Sequence, residues 1–346
     1  MSAAPDGQRA TRLATSVGSL LLPNPVMTAS GTSGHGTELS EYGALSELGA
    51  VVVKSLSVGP WPGNAAPRVH EVGAGMLNSV GLQGPGLAAW VAKDLRALHE
   101  SGARVVVSIW GRSVSDYAKA AELVGVAAAT DAGSCIAALE VNVSCPNVED
   151  RSRMFAHSPD ATARVLEATA CGLPRWAKLS PNVPDVVEIA HGAVEGGADG
   201  LTLVNTLLGL ALDTESGRPV LGAGGGGLSG GAVHPVAVRA VWECRAAFPD
   251  LPIVGVGGVF SGDDAVELLL AGADAVQVGT ATFRDPKAPW KVLRHLGRWC
   301  DAHGTTVGDI RRGARERVGG GWESTRGGPD ERGAAVATRH EGGRDG

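Results

Sequence analysis

The sequence predicts a (β/α)8 barrel with inserted loops over the carboxyl-terminal face of its strands. Two observations support this fold: eight short apolar runs recur along the chain, and amphipathic segments separate most of them. Most of the runs are continuous rather than alternating, which is typical of parallel strands that are buried on both faces. Such a barrel needs about 250 residues, and the chain of 346 residues is long enough for it.

The predicted strands are runs of four to six residues rich in Val, Ile, Leu and Ala, at 25–28, 50–54, 104–109, 138–143, 176–179, 200–204, 252–256 and 275–278. The predicted helices lie between them, and several end at or near glycine, at 87–100, 114–129, 160–170, 183–196, 233–248 and 263–271. Two long excursions, after the second and sixth strands, leave room for loops over the active face. We expect the barrel to span 20–310, after an N-terminal extension of 1–19.

Residues 311–346 differ in composition from the rest of the chain. They are rich in Gly, Arg, Glu and Asp and have almost no apolar periodicity, which predicts a disordered tail. A tail that binds a partner is the alternative interpretation.

Composition excludes several classes of protein. The formal net charge of −6 gives no electrostatic footprint for nucleic acid or an anionic membrane. No apolar run approaches the roughly 20 residues of a membrane helix, and the first residues do not resemble a signal peptide. Five cysteines, odd in number and without a Cys-x-x-Cys pair, predict a reduced cytoplasmic protein with no metal site of its own. The 51 glycines, roughly twice the average usage, suggest a fold that approaches a ligand through its backbone.

Reactive groups in such a barrel lie at the carboxyl ends of the strands. Polar or glycine residues follow seven of the predicted strands, at Ser30, Lys54-Ser55, Asn142, Lys178, Asn205-Thr206, Gly257-Gly258 and Gly279-Thr280. The last two pairs follow strands seven and eight, where barrels often bind phosphate through backbone N–H groups, and we favour that interpretation over simple turns. The glycine-rich stretch 224–230 either adds backbone donors or is a flexible loop.

Two lysines and one cysteine carry the candidate chemistry. Lys54 and Lys178 end predicted strands at an apolar barrel mouth, where a buried ammonium needs an anion. A flavin, which gains negative charge on reduction, would supply one; the alternative is two snorkelling surface lysines. Cys145 is either a small buried hydrophobe or, in a polar loop over the pocket, a general base once it is deprotonated. The residues alone leave both interpretations open.

From about residue 20 to residue 286 the chain resembles the class 1 dihydroorotate dehydrogenases, FMN-containing barrels of pyrimidine biosynthesis, and most closely the class 1B catalytic subunit. The resemblance is carried in chain order by Asn24-Pro25, Ala29-Ser30-Gly31, Gly63-Asn64, Pro67-Arg68-Val69, Gly75-Met76-Leu77-Asn78, Gly81-Leu82-Gln83, Asn142-Val143-Ser144-Cys145-Pro146-Asn147-Val148, Lys178-Leu179-Ser180-Pro181-Asn182-Val183, Gly197-Ala198-Asp199-Gly200, Asn205-Thr206-Leu207, Gly226-Gly227-Leu228-Ser229-Gly230, Gly257-Gly258 and Ala271-Gly272-Ala273.

The resemblance implies a role for each matching position. The positions that match FMN contacts are Ser30, Lys54, Ser55, Asn142, Lys178, Val204, Gly230, Gly257, Gly258, Gly279 and Thr280. The positions that match the substrate pocket are Lys54, Asn78, Gly81, Leu82, Asn142, Asn205 and Thr206, with Asn147 an addition. Cys145 matches the base that takes the C5 proton of dihydroorotate, while N5 of FMN takes the C6 hydride. Lys178 would stabilise the reduced flavin.

Three features depart from the family pattern. Gly84 and Ser108 stand where the family usually has Asn, and the loop 149–157 is more charged than the usual glycine-rich version. Two other functions are therefore kept as alternatives: a dihydropyrimidine dehydrogenase-like activity on uracil-type rings, and a non-catalytic flavin-binding paralogue.

The resemblance also implies partners. Class 1B catalytic subunits pair with a subunit that carries FAD and a 2Fe-2S cluster and passes electrons to NAD+, whereas class 1A homodimers use fumarate. We expect a cytoplasmic homodimer, with the FAD and 2Fe-2S subunit as a possible electron-transfer partner.

Overall fold

The fold is built around a ring of short parallel strands. A computed structural model describes residues 12–145 and 154–319 of the chain. In chain order the strands are β1 (Thr15–Val17), β2 (Leu20–Leu22), β3 (Val26–Thr28), β4 (Val51–Val52), β5 (Val69–Val72), β6 (Gly75–Asn78), β7 (Val105–Ile109), β8 (Ile136–Asn142), β9 (Arg175–Lys178), β10 (Gly200–Leu203), β11 (Leu207–Gly209), β12 (Gly226–Ser229), β13 (Ile253–Val256) and β14 (Ala275–Val278).

Helices surround this ring. They are α1 (Leu87–Lys93), α2 (Leu95–Glu100), α3 (Val114–Ala128), α4 (Pro159–Ala168), α5 (Val186–Glu195), α6 (His234–Ala247), α7 (Gly262–Ala271), α8 (Ala281–Arg284), α9 (Ala288–His303) and α10 (Val307–Gly319). Side-chain caps fix where several of them begin. Ser113 and Ser261 form capping boxes at α3 and α7, and Asp185 accepts two backbone N–H groups at the start of α5.

Eight strands pair in parallel in the order β3-β14-β13-β10-β9-β8-β7-β4. A parallel bridge between Met27 and Ala50 brings β3 back to the strand at the other end of the sheet. The predicted (β/α)8 barrel is therefore confirmed. The eight predicted strands coincide with these eight within a few residues at each end, because a strand buried on both faces is marked by an unbroken apolar run.

Apolar side chains fill the amino-terminal half of the barrel interior. Met27, Val106, Trp176 and Val254 belong to one buried cluster, which also includes Val17 and Leu22 of the β1–β2 hairpin. Thr15 donates a hydrogen bond of 2.8 Å to the backbone carbonyl just before β14. The hairpin thus covers the amino-terminal end of the barrel, so this part of the predicted N-terminal extension packs against the barrel interior.

The two long excursions form a second sheet instead of separate loops. Strands β5 and β6 follow β4, strands β11 and β12 follow β10, and all four pair antiparallel in the order β11-β12-β6-β5. In the central pair, Asn78 lies opposite Gly227. This sheet joins segments far apart in sequence, at the end of the barrel where the polar strand ends lie.

The structure also corrects the predicted start of the tail. Residues 311–319 belong to α10, which packs against α7 and α6. Arg311 binds the buried carboxylate of Asp274 through two nitrogen atoms, and Ala314 is fully buried. Residues 320–346 lie outside the described residues. Within the described ranges, no helix is both long enough and apolar enough to cross a membrane.

Candidate active site

A cavity of about 360 Å³ lies at the carboxyl ends of the barrel strands, beside the second sheet. It brings together residues that sequence analysis selected from widely separated parts of the chain. Those that line it are Ser30, Lys54, Ser55, Asn78, Gly81, Leu82, Asn142, Lys178, Val204, Asn205, Thr206, Gly230, Gly257, Gly258, Gly279 and Thr280. Two predicted residues are not in this set: Cys145, which is discussed below, and Asn147, which lies outside the described residues.

Glycines form one corner of the cavity. Gly257 and Gly258 adopt φ values of +138° and +67°, and a Cβ at Gly258 would lie 2.6 Å from the Cβ of His234. Within the described part of the chain, no atom accepts a hydrogen bond from the backbone N–H of Gly257, Gly258, Gly279 or Thr280. Free N–H groups and a backbone without side chains suit a bound phosphate. The residues present therefore fit a phosphate group.

Amide side chains form another part of the cavity wall, called the amide wall below. Asn142 donates through Nδ2 to Ser55 Oγ at 3.4 Å, and its Oδ1 accepts from Nδ2 of Asn205 at 3.1 Å. Asn78 lies at the end of β6 and donates to the backbone carbonyl of Gly227 at 3.2 Å. An amide offers both donors and an acceptor, so this wall is suited to the flat polar edge of a ring that carries N–H and C=O groups.

A charged network lies beneath the cavity, inside the barrel. Lys178 at the end of β9 is buried and lines the cavity, and its Nζ lies 3.4 Å from Oε1 of Glu140. Glu140 also accepts hydrogen bonds from Ser108 at 3.0 Å and from Gln277 at 3.0 Å. The alternative of a snorkelling surface lysine is thus wrong for Lys178, whose ammonium is buried beside a carboxylate.

Lys54 is the second cation at the cavity. It is half-buried, and no described residue accepts a hydrogen bond from its ammonium. Burial, followed by repulsion from Arg68, holds the pKa of Lys54 below its usual value. A cation that faces a cavity without a carboxylate partner is ready to bind an anionic ligand.

Cys145 does not line the cavity in this structure, which agrees with the first of its two interpretations, a small buried side chain, and not with a position over the pocket. Its side chain is fully buried, and Sγ donates to the backbone carbonyl of Asn142 at 3.4 Å. Backbone bonds from Phe155 to Cys145 and from Ala156 to Val143 hold this segment against the end of β8. Burial raises the pKa of the Cys145 thiol to about 12, although a hydrogen bond with Tyr117 opposes this rise.

Glu140, Gln277 and Tyr117 also belong to this site but were not predicted from the sequence, and Asn182, part of the motif 178–183, was given no role. Asn182 donates to the backbone carbonyl of Thr206 at 2.9 Å and so holds a residue that lines the cavity. For Glu140 a signal was available, since it is the one ionisable side chain in the apolar run 136–142. A carboxylate inside such a run is buried and needs a cationic or hydrogen-bonding partner. Gln277 and Tyr117 carried no comparable signal.

The barrel with a polar cavity at the carboxyl ends of its strands defines an enzyme of the (β/α)8 class. The family model described as dihydroorotate dehydrogenase matches residues 12–299. The chain belongs to the dihydroorotate dehydrogenase family, and is therefore an oxidoreductase. Members of this family are in general flavin-dependent.

Curated relatives agree with the family model. The chain is 45% identical over 289 residues to a protein of Alkaliphilus oremlandii, and the aligned region covers 83% of this chain and 93% of the relative. It is 44% identical over 294 residues to a protein of Pelobacter propionicus, which covers 84% and 94%. It is 45% identical over 301 residues to one of Geotalea daltonii, which covers 86% and 96%. Each is named dihydroorotate dehydrogenase B (NAD(+)), catalytic subunit.

Proposed function

We propose that this chain binds FMN in the cavity and oxidises (S)-dihydroorotate to orotate, a step of UMP biosynthesis. The observation that carries the proposal is the meeting, in one cavity, of a glycine corner, a buried ammonium and an amide wall. The glycine corner suits the phosphate of the cofactor, the buried ammonium suits its electron-accepting ring, and the amide wall suits a pyrimidine substrate. The names of the relatives support the same substrate.

The glycine corner would hold the FMN phosphate through the backbone N–H groups of Gly257, Gly258, Gly279 and Thr280, with Gly230 close by. Ser30, Ser55, Asn142 and Val204 would contact the remainder of the cofactor. FMN bound there would supply the two-electron acceptor for the C6 hydride of the substrate, at its N5. Lys178 is buried beneath the same cavity, and its ammonium would stabilise the negative charge that this reduction creates.

The substrate would lie between the amide wall and Lys54. Asn78, Asn142 and Asn205 can match the N–H and C=O groups of the ring, while Gly81, Leu82, Thr206 and Asn147 would complete the pocket. Among the described residues, no carboxylate acts on the Lys54 ammonium, so it can bind the substrate carboxylate. Uracil-type rings lack that group. The Lys54 ammonium therefore favours dihydroorotate over dihydrouracil.

Cys145 would take the proton from C5 of the substrate. A thiol acts as a base only as its thiolate, and the burial of Cys145 keeps that form scarce at neutral pH. Sγ donates to the backbone carbonyl of Asn142, whose side chain lines the cavity, so the thiol lies directly behind the cavity wall, and the proposed role requires Sγ to turn toward the substrate.

A separate subunit would carry the electrons onward. The relatives are named as catalytic subunits of an enzyme that uses NAD(+), which favours a partner with FAD and a 2Fe-2S cluster. We propose that the chain works in the cytoplasm as a homodimer bound to that subunit. If the purified chain alone transfers electrons from dihydroorotate to fumarate but not to NAD+, the acceptor follows the class 1A pattern. Direct reduction of NAD+ by the lone chain would contradict the need for a partner.

The substrate assignment is tested with an artificial dye as electron acceptor and with dihydroorotate and dihydrouracil as alternative substrates. We expect turnover with dihydroorotate and little or none with dihydrouracil. Turnover of dihydrouracil alone would reject the proposed substrate in favour of a dihydropyrimidine dehydrogenase-like activity. The Cys145→Ser variant, measured alongside, should lose most of the turnover with dihydroorotate at neutral pH.

A further inference from the structure

The Glu140 carboxylate lies inside the barrel with no exposed surface and three donors around it. Oε1 accepts from Ser108 Oγ at 3.0 Å and from Lys178 Nζ at 3.4 Å, and Oε2 accepts from Nε2 of Gln277 at 3.0 Å. Gln277 and Ser108 are also fully buried. Because both oxygens act as acceptors, the arrangement suits an ionised carboxylate, which offers acceptors only.

This carboxylate sets the direction of a chain of hydroxyl groups that reaches the cavity. Ser108 commits its proton to Glu140, so the contact of 2.9 Å between Ser108 and Ser55 requires Ser55 to donate. The next contact, 3.2 Å from Ser55 to Ser30, then requires Ser30 to donate to Ser55. The negative charge at Glu140 therefore orients side chains as far as the cavity wall, where Ser30 and Ser55 lie.

Lys178 links the same carboxylate to the cavity. Glu140 is the carboxylate that pairs with its ammonium, and the pair is buried on both sides. Where little water screens them, charges act over longer distances than at the surface. A ligand above Lys178 thus experiences an ammonium whose field is partly cancelled by Glu140 from the opposite side.

We propose that Glu140 is a positioning residue that holds the Lys178 ammonium beneath the cavity and offsets part of its charge. The bound flavin would then be reduced less readily than above a lone ammonium. This inference rests on the proposed binding of FMN. The offset has a use in the reaction, because a flavin that is stabilised too strongly in its reduced form passes its electrons on more slowly.

Gln277 makes an informative variant possible. Its Oε1 is buried and has no hydrogen-bond partner among the described residues. In Glu140→Gln, the new Nε2 can donate to this oxygen after the Gln277 amide rotates, while the new Oε1 still accepts from Ser108 and Lys178. The substitution therefore removes the charge and keeps the shape and the number of hydrogen bonds.

The test is the midpoint potential of the bound flavin at neutral pH, measured by redox titration against a reference dye. We expect Glu140→Gln to make the midpoint potential more positive by at least about 30 mV. For a two-electron couple, this shift is a tenfold change in the equilibrium between oxidised and reduced flavin. Gln277→Leu keeps the charge of Glu140 but removes one donor, so its potential should shift the opposite way. Thr202→Val removes a buried hydroxyl that has no hydrogen-bond partner among the described residues, and should leave the potential unchanged.

The outcomes separate this inference from the function on which it rests. An unchanged or more negative potential in flavin-bound Glu140→Gln would overturn the inference and leave the proposed function standing. If Glu140→Gln does not fold, Gln277→Leu decides alone, and a positive or absent shift there would overturn the inference. A wild-type protein that binds no flavin would overturn both. A purely structural role for Glu140 predicts lower stability to urea with no change in potential.

Discussion

The Cys145 thiol and the Tyr117 hydroxyl share one acceptor, the backbone carbonyl oxygen of Asn142. Sγ lies 3.4 Å and the tyrosine hydroxyl oxygen 2.6 Å from it. Both groups are fully buried, and burial raises the pKa of each, that of Cys145 to about 12 and that of Tyr117 well above its usual value. The candidate base is therefore a neutral thiol at neutral pH in this structure.

A pH dependence follows from this raised pKa. Because only the thiolate accepts the C5 proton, the rate of flavin reduction by dihydroorotate should rise with pH from 7 to 9, by roughly tenfold per unit if Cys145 alone titrates. Stopped-flow mixing over this pH range measures the rate. The rise should be absent in Cys145→Ser, whose hydroxyl does not ionise in the same range. A wild-type rate that is flat over these two units would show that Cys145 in this environment is not the base.

The barrel could be predicted from the sequence because each of its strands is a continuous apolar run between turns. The second sheet could not, because its central pair joins Asn78 to Gly227 across 149 residues and its strands are short and rich in glycine. The predicted site residues converge because the carboxyl ends of parallel strands share one face. The sequence could not decide between a buried and a cavity-facing Cys145, because its environment depends on Tyr117 of α3, which is distant in sequence.

The glycine corner makes a prediction about cofactor binding. Gly258→Ala adds a Cβ at a φ of +67° and 2.6 Å from the Cβ of His234, so the backbone there must shift. A left-handed alanine costs about 1–2 kcal/mol, and we expect the affinity for FMN to fall about tenfold. Gly172→Ala is the matched control, because Gly172 has a φ of +81° with open space around it and does not line the cavity. Equal FMN loss in both variants, measured by equilibrium dialysis, would argue against a specific role of the corner.

Lys54 makes a prediction about the substrate carboxylate. Lys54→Met should raise KM for dihydroorotate about tenfold, since one charge-assisted bond is lost at a half-buried site. In the wild type, the pKa of Lys54 lies below its usual 10.5. The ammonium is thus lost earlier than usual as pH rises, and KM should increase at alkaline pH before 10.5 is reached. Lys54→Arg keeps a charge that does not titrate there and should show no such increase. An unchanged KM in Lys54→Met would mean that the carboxylate binds elsewhere.

Asp274 makes a prediction about stability. Its carboxylate is 2% exposed and accepts hydrogen bonds from Arg245, from Arg311 and from the backbone N–H of Ile253. Asp274→Ala leaves the buried Arg245 without its carboxylate partner, although its bonds to backbone carbonyls remain, and should lower the free energy of unfolding by about 3 kcal/mol. Glu243→Gln removes the partner of the exposed Arg239 and should change stability little. Urea denaturation compares the two. Equal effects would mean that α10 is not anchored through Asp274.

The most direct test of the account is anaerobic mixing of the purified protein with dihydroorotate while the flavin absorbance is followed. We expect the yellow absorbance of the oxidised flavin to bleach within a single turnover, with one orotate formed per flavin, and we expect Cys145→Ser to bleach much more slowly. A yellow protein whose absorbance dihydroorotate leaves unchanged would contradict the account, and would identify the chain as a flavin-binding paralogue without this activity.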